Sequence, residues 1–104
     1  MQFRFVPEAE TELAEARIWY GLQRDNLDVE LIQRIEETLE RISNAPHSFP
    51  RVHRQLRRAI VRQFPFGIFY EVTKDEIVVF AVFHSRRDPK QLTVRLKHLS
   101  NIDF

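Results

Sequence analysis

The apolar positions of this chain change their period three times. Phe3 and Phe5 alternate with Gln2 and Arg4, the two-residue period of a short strand. Pro7 ends it and suits the first position of a helix, where a missing N–H costs nothing. Ala9, Leu13, Ala16 and Tyr20 then step by four, three and four, which is one helical face with Trp19 beside it. Glu8, Glu10 and Glu12 stand at the start, where the helix dipole favours acids. Gly21 and Gln23-Arg24-Asp25-Asn26 break the period, and Asp25, Asn26 or Asp28 can cap a second helix. There Ile32, Ile35, Leu39 and Ile42 step by three, four and three, with Glu30, Arg34, Glu36, Glu37 and Arg41 at pairing distance outside. Asn44-Ala45-Pro46 stops it. Two amphipathic helices with a short connection predict an antiparallel hairpin.

After a loop at Pro46–Pro50 the two-residue period returns. It predicts strands over about Leu56–Gln63, Phe66–Thr73 and Ile77–His84, joined by short turns and therefore antiparallel. On the last strand Ile77, Val79, Ala81 and Phe83 fill one face; Val78, Phe80 and Val82 fill the other. A strand apolar on both faces is buried on both sides, or a partner covers the second. Leu92, Leu96 and Leu99 return to helical spacing. The expectation is an α+β domain of order β-α-α-β-β-β over residues 1–96, with the helical hairpin on one face of a mainly antiparallel sheet and a short C-terminal tail at 97–104.

Length and composition narrow the classes. The chain has 104 residues, which suits one domain. It contains no cysteine, which excludes disulfides and thiolate metal sites and fits a cytoplasmic location. No apolar run is long enough for a membrane span, and Met1–Pro7 has no signal-peptide core. His47, His53 and His98 form no metal pattern, so neither a metal nor another cofactor is expected. There is no Gly-rich phosphate loop and no Gly-x-Ser-x-Gly elbow.

Charge changes the picture most. The net charge is only +1, yet residues 8–40 carry ten acids against three arginines, a net −7. Residues 41–104 carry twelve Lys/Arg against five acids, a net +7. Such segregation points to a polyanion-facing or acid-facing half. Arg54, Arg57, Arg58 and Arg62 lie on or just before the first strand of the trio. Arg58 and Arg62 share parity with Ile60, and Arg57 projects to the other face. His84, Arg86 and Arg87 close the last strand. Should a concave sheet bring these groups together, arginines could hold a phosphodiester and His84 could move a proton. The bland alternatives are a structural His84, an Arg86 or Arg87 that is solvated or paired with Asp88, and edge-strand charges that block aggregation. Trp19 and Tyr20 are expected in the core or hairpin packing.

The ordered motifs carry a resemblance. Glu12-Leu13-x-Glu15-Ala16-x-x-Trp19-Tyr20, Ile42-x-x-x-Pro46-x-x-Phe49-Pro50, Arg57-Arg58, Arg62-Gln63-Phe64-Pro65-Phe66 and His84-x-x-Arg87-Asp88-Pro89 together resemble the ParE/RelE superfamily of toxins, closest to its ParE-like plasmid stabilization branch. The resemblance implies a bacterial growth inhibitor of a type II toxin–antitoxin module, neutralised by a cognate antitoxin with which it can form a hetero-oligomer. ParE-like members imply DNA gyrase as target. RelE-like members imply a metal-independent, ribosome-dependent cut of mRNA, with Arg62, His84 and Arg87 in the catalytic positions. Arg54, Arg57, Arg58, Arg86 and Lys90 are then the candidate target-binding residues. The aromatic that RelE-like enzymes place near the C-terminus is missing from Gln91-Leu92-Thr93, which favours the ParE-like reading. A third reading is a degenerate, non-toxic binding module.

Overall fold

The computed structural model describes residues 1–85, 87, 90–95 and 97. Strand β1 (Gln2–Phe5) leads into helix α1 (Pro7–Gln23), a tight connection and helix α2 (Leu27–Asn44). Strands β2 (Arg51–His53), β3 (Leu56–Ile60), β4 (Phe66–Val72) and β5 (Glu76–His84) follow, and residues 90–95 are again helical. The sheet order is β1-β5-β4-β3-β2, with β1 parallel to β5 and every other pair antiparallel. The α+β reading and its β-α-α-β-β-β order therefore hold, with one short strand added at the sheet edge. The run Arg51-Val52-His53 is too short and too polar to show a period, so β2 escapes a pattern search.

Pro7 does open α1. Val6 accepts the backbone N–H groups of Ala9 and Glu10 through its carbonyl (3.0 and 3.1 Å). At α2 the cap is Asn26, in the left-handed region at φ 67° and without a side-chain bond. An Asn tolerates that conformation, so it serves as a turn residue here rather than as an oxygen donor to the helix. Helix α1 lies against β5, and α2 reaches β3. Leu31, Ile35 and Ile42 of α2 are buried with Ala9 and Ala16 of α1 over Ile68, Tyr70, Ile77 and Val79. Thr38, the one polar member among the described buried residues, donates to the Arg34 carbonyl (2.7 Å). The expected Arg34–Glu37 pair forms at 2.7 Å, while Arg24 pairs with Glu30 at 2.6 Å.

A bulge corrects the parity expected for β5. Phe69 pairs with Ala81, but its neighbour Tyr70 pairs with Val79. Phe80 is therefore an extra residue, and every side chain below it changes face relative to a strict alternation. Ile77 and Val79 share the helix-covered face with Val82, not with Ala81 and Phe83. Residues 77–83 are nonetheless all buried. The helical stretch 90–95 supplies part of the second cover through Leu92, which is buried beside Phe83.

Candidate functional site

Ala59 and Val61 point into the helix-covered core, so Leu56, Arg58 and Ile60 face the other way. Through the register Arg58↔Phe69 and Ile60↔Gly67, then Gly67↔Phe83 and Phe69↔Ala81, this second face becomes aromatic and concave. It holds a cavity of about 430 Å³ with Phe66, Phe69 and Phe83 in its walls and Leu92 closing one side. Arg58, His53, His84 and Arg87 also line it, and no acid does among the described residues. Gly67 makes room for this layout. A Cβ there would lie 3.2 Å from Cγ of Arg58 and 3.3 Å from the Phe69 ring, closer than ordinary contact. Without that Cβ the aliphatic stem of Arg58 lies over Gly67 of β4.

A second groove, about 410 Å³, lies beside α1. It is lined by Glu12, Glu15, Trp19 and Tyr20, and shares Phe66, His84 and Arg87 with the first. His84 packs edge-on against Phe66 with centroids 5.2 Å apart. Tyr20 packs against Phe64 (5.1 Å) and Phe66 (6.1 Å), as expected for a packing residue, and burial raises its pKa. Trp19 departs from the expectation: it is 56% exposed and touches Tyr20 edge-on at 4.8 Å.

Arg87 is the most constrained of the expected site residues. Its guanidinium stacks on Phe83 (4.2 Å to the centroid), donates from Nε and Nη2 to Gln91 Oε1 (3.1 and 2.9 Å), and donates from Nη1 to Glu12 Oε2. Glu12 is the hub. Its Oε1 accepts the Val82 N–H (3.0 Å) and Arg95 Nη1 (2.9 Å), and its Oε2 accepts Arg95 Nη2 (2.9 Å). Arg95 also donates to the Phe80 carbonyl at 3.1 Å and lies over Phe83. Strand β1 pairs with β5 only up to Val79, so on that side the backbone groups of Phe80 and Val82 have no strand beside them. Charged side chains satisfy them instead. Glu12 and Arg95 were not among the candidate site residues. The signal for Glu12 was present: it stands three residues after Ala9 and four before Ala16, on the buried stripe, where an acid needs a partner.

The other candidates separate. Arg57 turns to the helix side, as its parity requires, and donates Nη1 to the carbonyls of His47 (2.9 Å) and Phe49 (2.6 Å). Beside it the buried Tyr70 donates its hydroxyl to the Pro46 carbonyl (2.7 Å). Burial pushes the Tyr70 pKa up to about 12, against the opposing pull of the Arg57 charge. Arg54, at φ 52°, occupies the turn between β2 and β3, and Arg62 lies beyond the end of β3; both are exposed and outside the cavity lining. Arg62 does not share a strand face with Arg58, because β3 ends at Ile60. Lys90 is exposed at the start of the helical stretch 90–95. Arg86, Asp88 and Pro89 lie outside the described residues, as do Leu96 and 98–104 of the expected tail. Among the described residues no three His, Asp or Glu side chains converge on one point, and no helix is long and apolar enough to cross a membrane.

A solved structure titled "Chromosomal ParDE TA system from P. aeruginosa" has the same fold, with a TM-score of 0.70 over 81% of this chain and 95% of that chain at 16% identity. The chain belongs to the family described as ParE toxin of type II toxin-antitoxin system, parDE, whose model matches residues 3–89. It is therefore a type II toxin of the ParE kind. No curated protein matches the chain.

Proposed function

We propose that the chain inhibits bacterial growth by acting on DNA gyrase in the cytoplasm, and that a cognate antitoxin neutralises it by laying an acidic, apolar segment in the sheet cavity. The observation that carries this reading is the state of Arg87. A ribonuclease would need that guanidinium for phosphate, yet each of its three nitrogens already donates to Glu12 or Gln91. A phosphodiester would have to displace a largely buried carboxylate (Glu12 side chain 9% exposed). The cavity itself suits a peptide: aromatic walls take apolar side chains, and Arg58 and His53 take carboxylates.

Purified toxin is expected to block supercoiling by gyrase, and the antitoxin encoded beside it to restore activity at equimolar amounts. Full gyrase activity at excess toxin would refute the proposal. The second reading, a RelE-like mRNA endoribonuclease, rests on His84 and Arg58 sharing one cavity. It predicts new message ends in primer extension that disappear in His84→Ala. Growth without inhibition, with antitoxin binding kept, would instead identify a non-toxic binding module.

The glycine beneath Arg58 offers a separate check on the cavity. Gly67→Ala is expected to leave urea stability within about 1 kcal/mol, since alanine costs less chain entropy in the strand. The displaced Arg58 stem is expected to weaken antitoxin binding about tenfold, near 1.4 kcal/mol. Unchanged affinity by calorimetry would remove Arg58 from the antitoxin interface.

A further inference from the structure

The arginines of this chain differ in what occupies them. Arg4, Arg24, Arg34, Arg87 and Arg95 pair with carboxylates, and Arg57 is taken up by two carbonyls. No described residue bonds or pairs with Arg51, Arg54, Arg58 or Arg62, and all four are exposed. The stretch 41–70 that holds them has six arginines, no lysine and no acid. Topology puts the four on one edge of the sheet. Strand β2 is outermost there; Arg51 stands opposite Arg57, Arg54 turns the chain into β3, and Arg62 follows the end of β3. Their order along that edge is Arg54, Arg51, Arg58 and Arg62, the last two roughly 13 Å apart on an extended chain. Between those two the edge is open. Val61 N–H donates to the Phe66 carbonyl and Arg58 N–H to that of Pro50 (2.9 and 3.1 Å). Alternation therefore turns the Ile60 N–H away from β4, at a level that β2 does not reach. Two acids stand toward the ends of the row, and both are engaged: Glu37 pairs with Arg34, which also holds Gln63, and Glu71, level with Leu56, has a contact of its own.

We propose that this edge binds the phosphate backbone of duplex DNA, in contacts that do not depend on base sequence. Arginine forks and backbone N–H groups are the donors that phosphate oxygens take. A row of charges along an edge matches a ligand whose own charges repeat along its length; a single carboxylate would meet only one of them. Charge on an open edge also keeps it from pairing with another chain, but lysine serves that purpose as well, and the stretch has none. The choice of DNA over another polyanion rests on the gyrase reading, because an enzyme that supercoils DNA brings a duplex to whatever binds it. The cavity assigned to the antitoxin touches the row only at Arg58, so Arg51, Arg54 and Arg62 tell the two surfaces apart.

Fluorescence anisotropy of a short labelled duplex, titrated with the purified full chain, tests this without gyrase. Binding is expected at about 0.05 M salt, with log K falling against log salt at a slope of about −3.6 for four neutralised phosphates. Arg51→Gln/Arg54→Gln/Arg62→Gln is expected to weaken binding roughly tenfold or more and to bring the slope to about −0.9. Arg17→Gln, which removes an exposed charge from α1, is expected to leave both unchanged. Circular dichroism confirms the fold; should the triple variant unfold, Arg51→Gln/Arg62→Gln replaces it, with a slope of about −1.8. No binding at low salt overturns the proposal. So do a triple variant that binds as the parent does, an equal loss in Arg17→Gln, or a tighter grip on single-stranded RNA or on polyglutamate of the same charge. Gyrase inhibition without DNA binding would leave the gyrase reading standing and end this one. DNA binding without gyrase inhibition would do the reverse.

Discussion

Glu12→Gln is expected to lower the stability of the fold by about 3 kcal/mol, the scale on which removing one partner of a buried ion pair acts. For a domain of this size that is a fall in Tm of roughly 12 °C or more. The carboxylate is 9% exposed and Arg95 15%, so neither guanidinium keeps full access to water when the charge is lost. The amide of glutamine can still accept from Val82 or from one arginine, but it cannot serve both forks and carries no charge. The effect should be shared with Arg95→Gln. A double-mutant cycle between the two should show a coupling well above 1 kcal/mol, because both changes break the same contact. Additive losses in thermal or urea unfolding would mean that the hub is only a surface pair. The network also joins α1, β5 and the helical stretch 90–95. Hydrogen exchange at the Val82 amide should therefore quicken in both variants, even under conditions where the fold persists.

Arg57→Ala is expected to cost about 2 kcal/mol. The change removes two charge-assisted bonds to the carbonyls of His47 and Phe49, each worth up to about 3 kcal/mol, and the half-exposed loop regains part of this from water. Tyr70 would then hold the loop through Pro46 alone. Arg57→Lys should recover part of the loss, since both bonds leave the single Nη1 and an ammonium also carries several donors, though on a shorter stem. Urea unfolding decides the matter. Unchanged stability with weakened target binding would return Arg57 to the functional surface, where the charge pattern of the sequence placed it.

These two residues mark where the sequence was legible and where it was not. The helices were readable because each had a continuous period: Ile35 and Ile42 are buried where the stripe places them. The β3, β4 and β5 strands were readable for the same reason. Arg57 itself was assigned to the correct face by parity, and what parity could not supply was the pair of carbonyls waiting there. The β5 bulge hid from the pattern because residues 77–83 are all apolar, and a uniform run has no phase to lose. The cavity depended on a glycine, whose contribution is an absence of atoms. Glu12 reads as one acid in an acidic helix until the strand edge it caps is known. Of the basic candidates, the fold brings Arg58, His84 and Arg87 to one cavity and leaves Arg54, Arg57 and Arg62 outside it, a separation invisible in the sequence because linear charge density carries no depth.

The parallel pairing of β1 with β5 has a consequence in time. Gln2 lies beside Glu76, so the first strand made must wait for the last before it has a neighbour. Closing so long a loop delays that contact and makes folding slower than the helical hairpin alone would suggest. The cavity waits as well, because Phe83, His84, Arg87 and Leu92 are among its walls. On the ribosome the hairpin emerges with its inner stripe uncovered, and the cavity does not exist until β5 has been synthesised. A nascent chain of this fold is in this sense without its cavity for most of its translation.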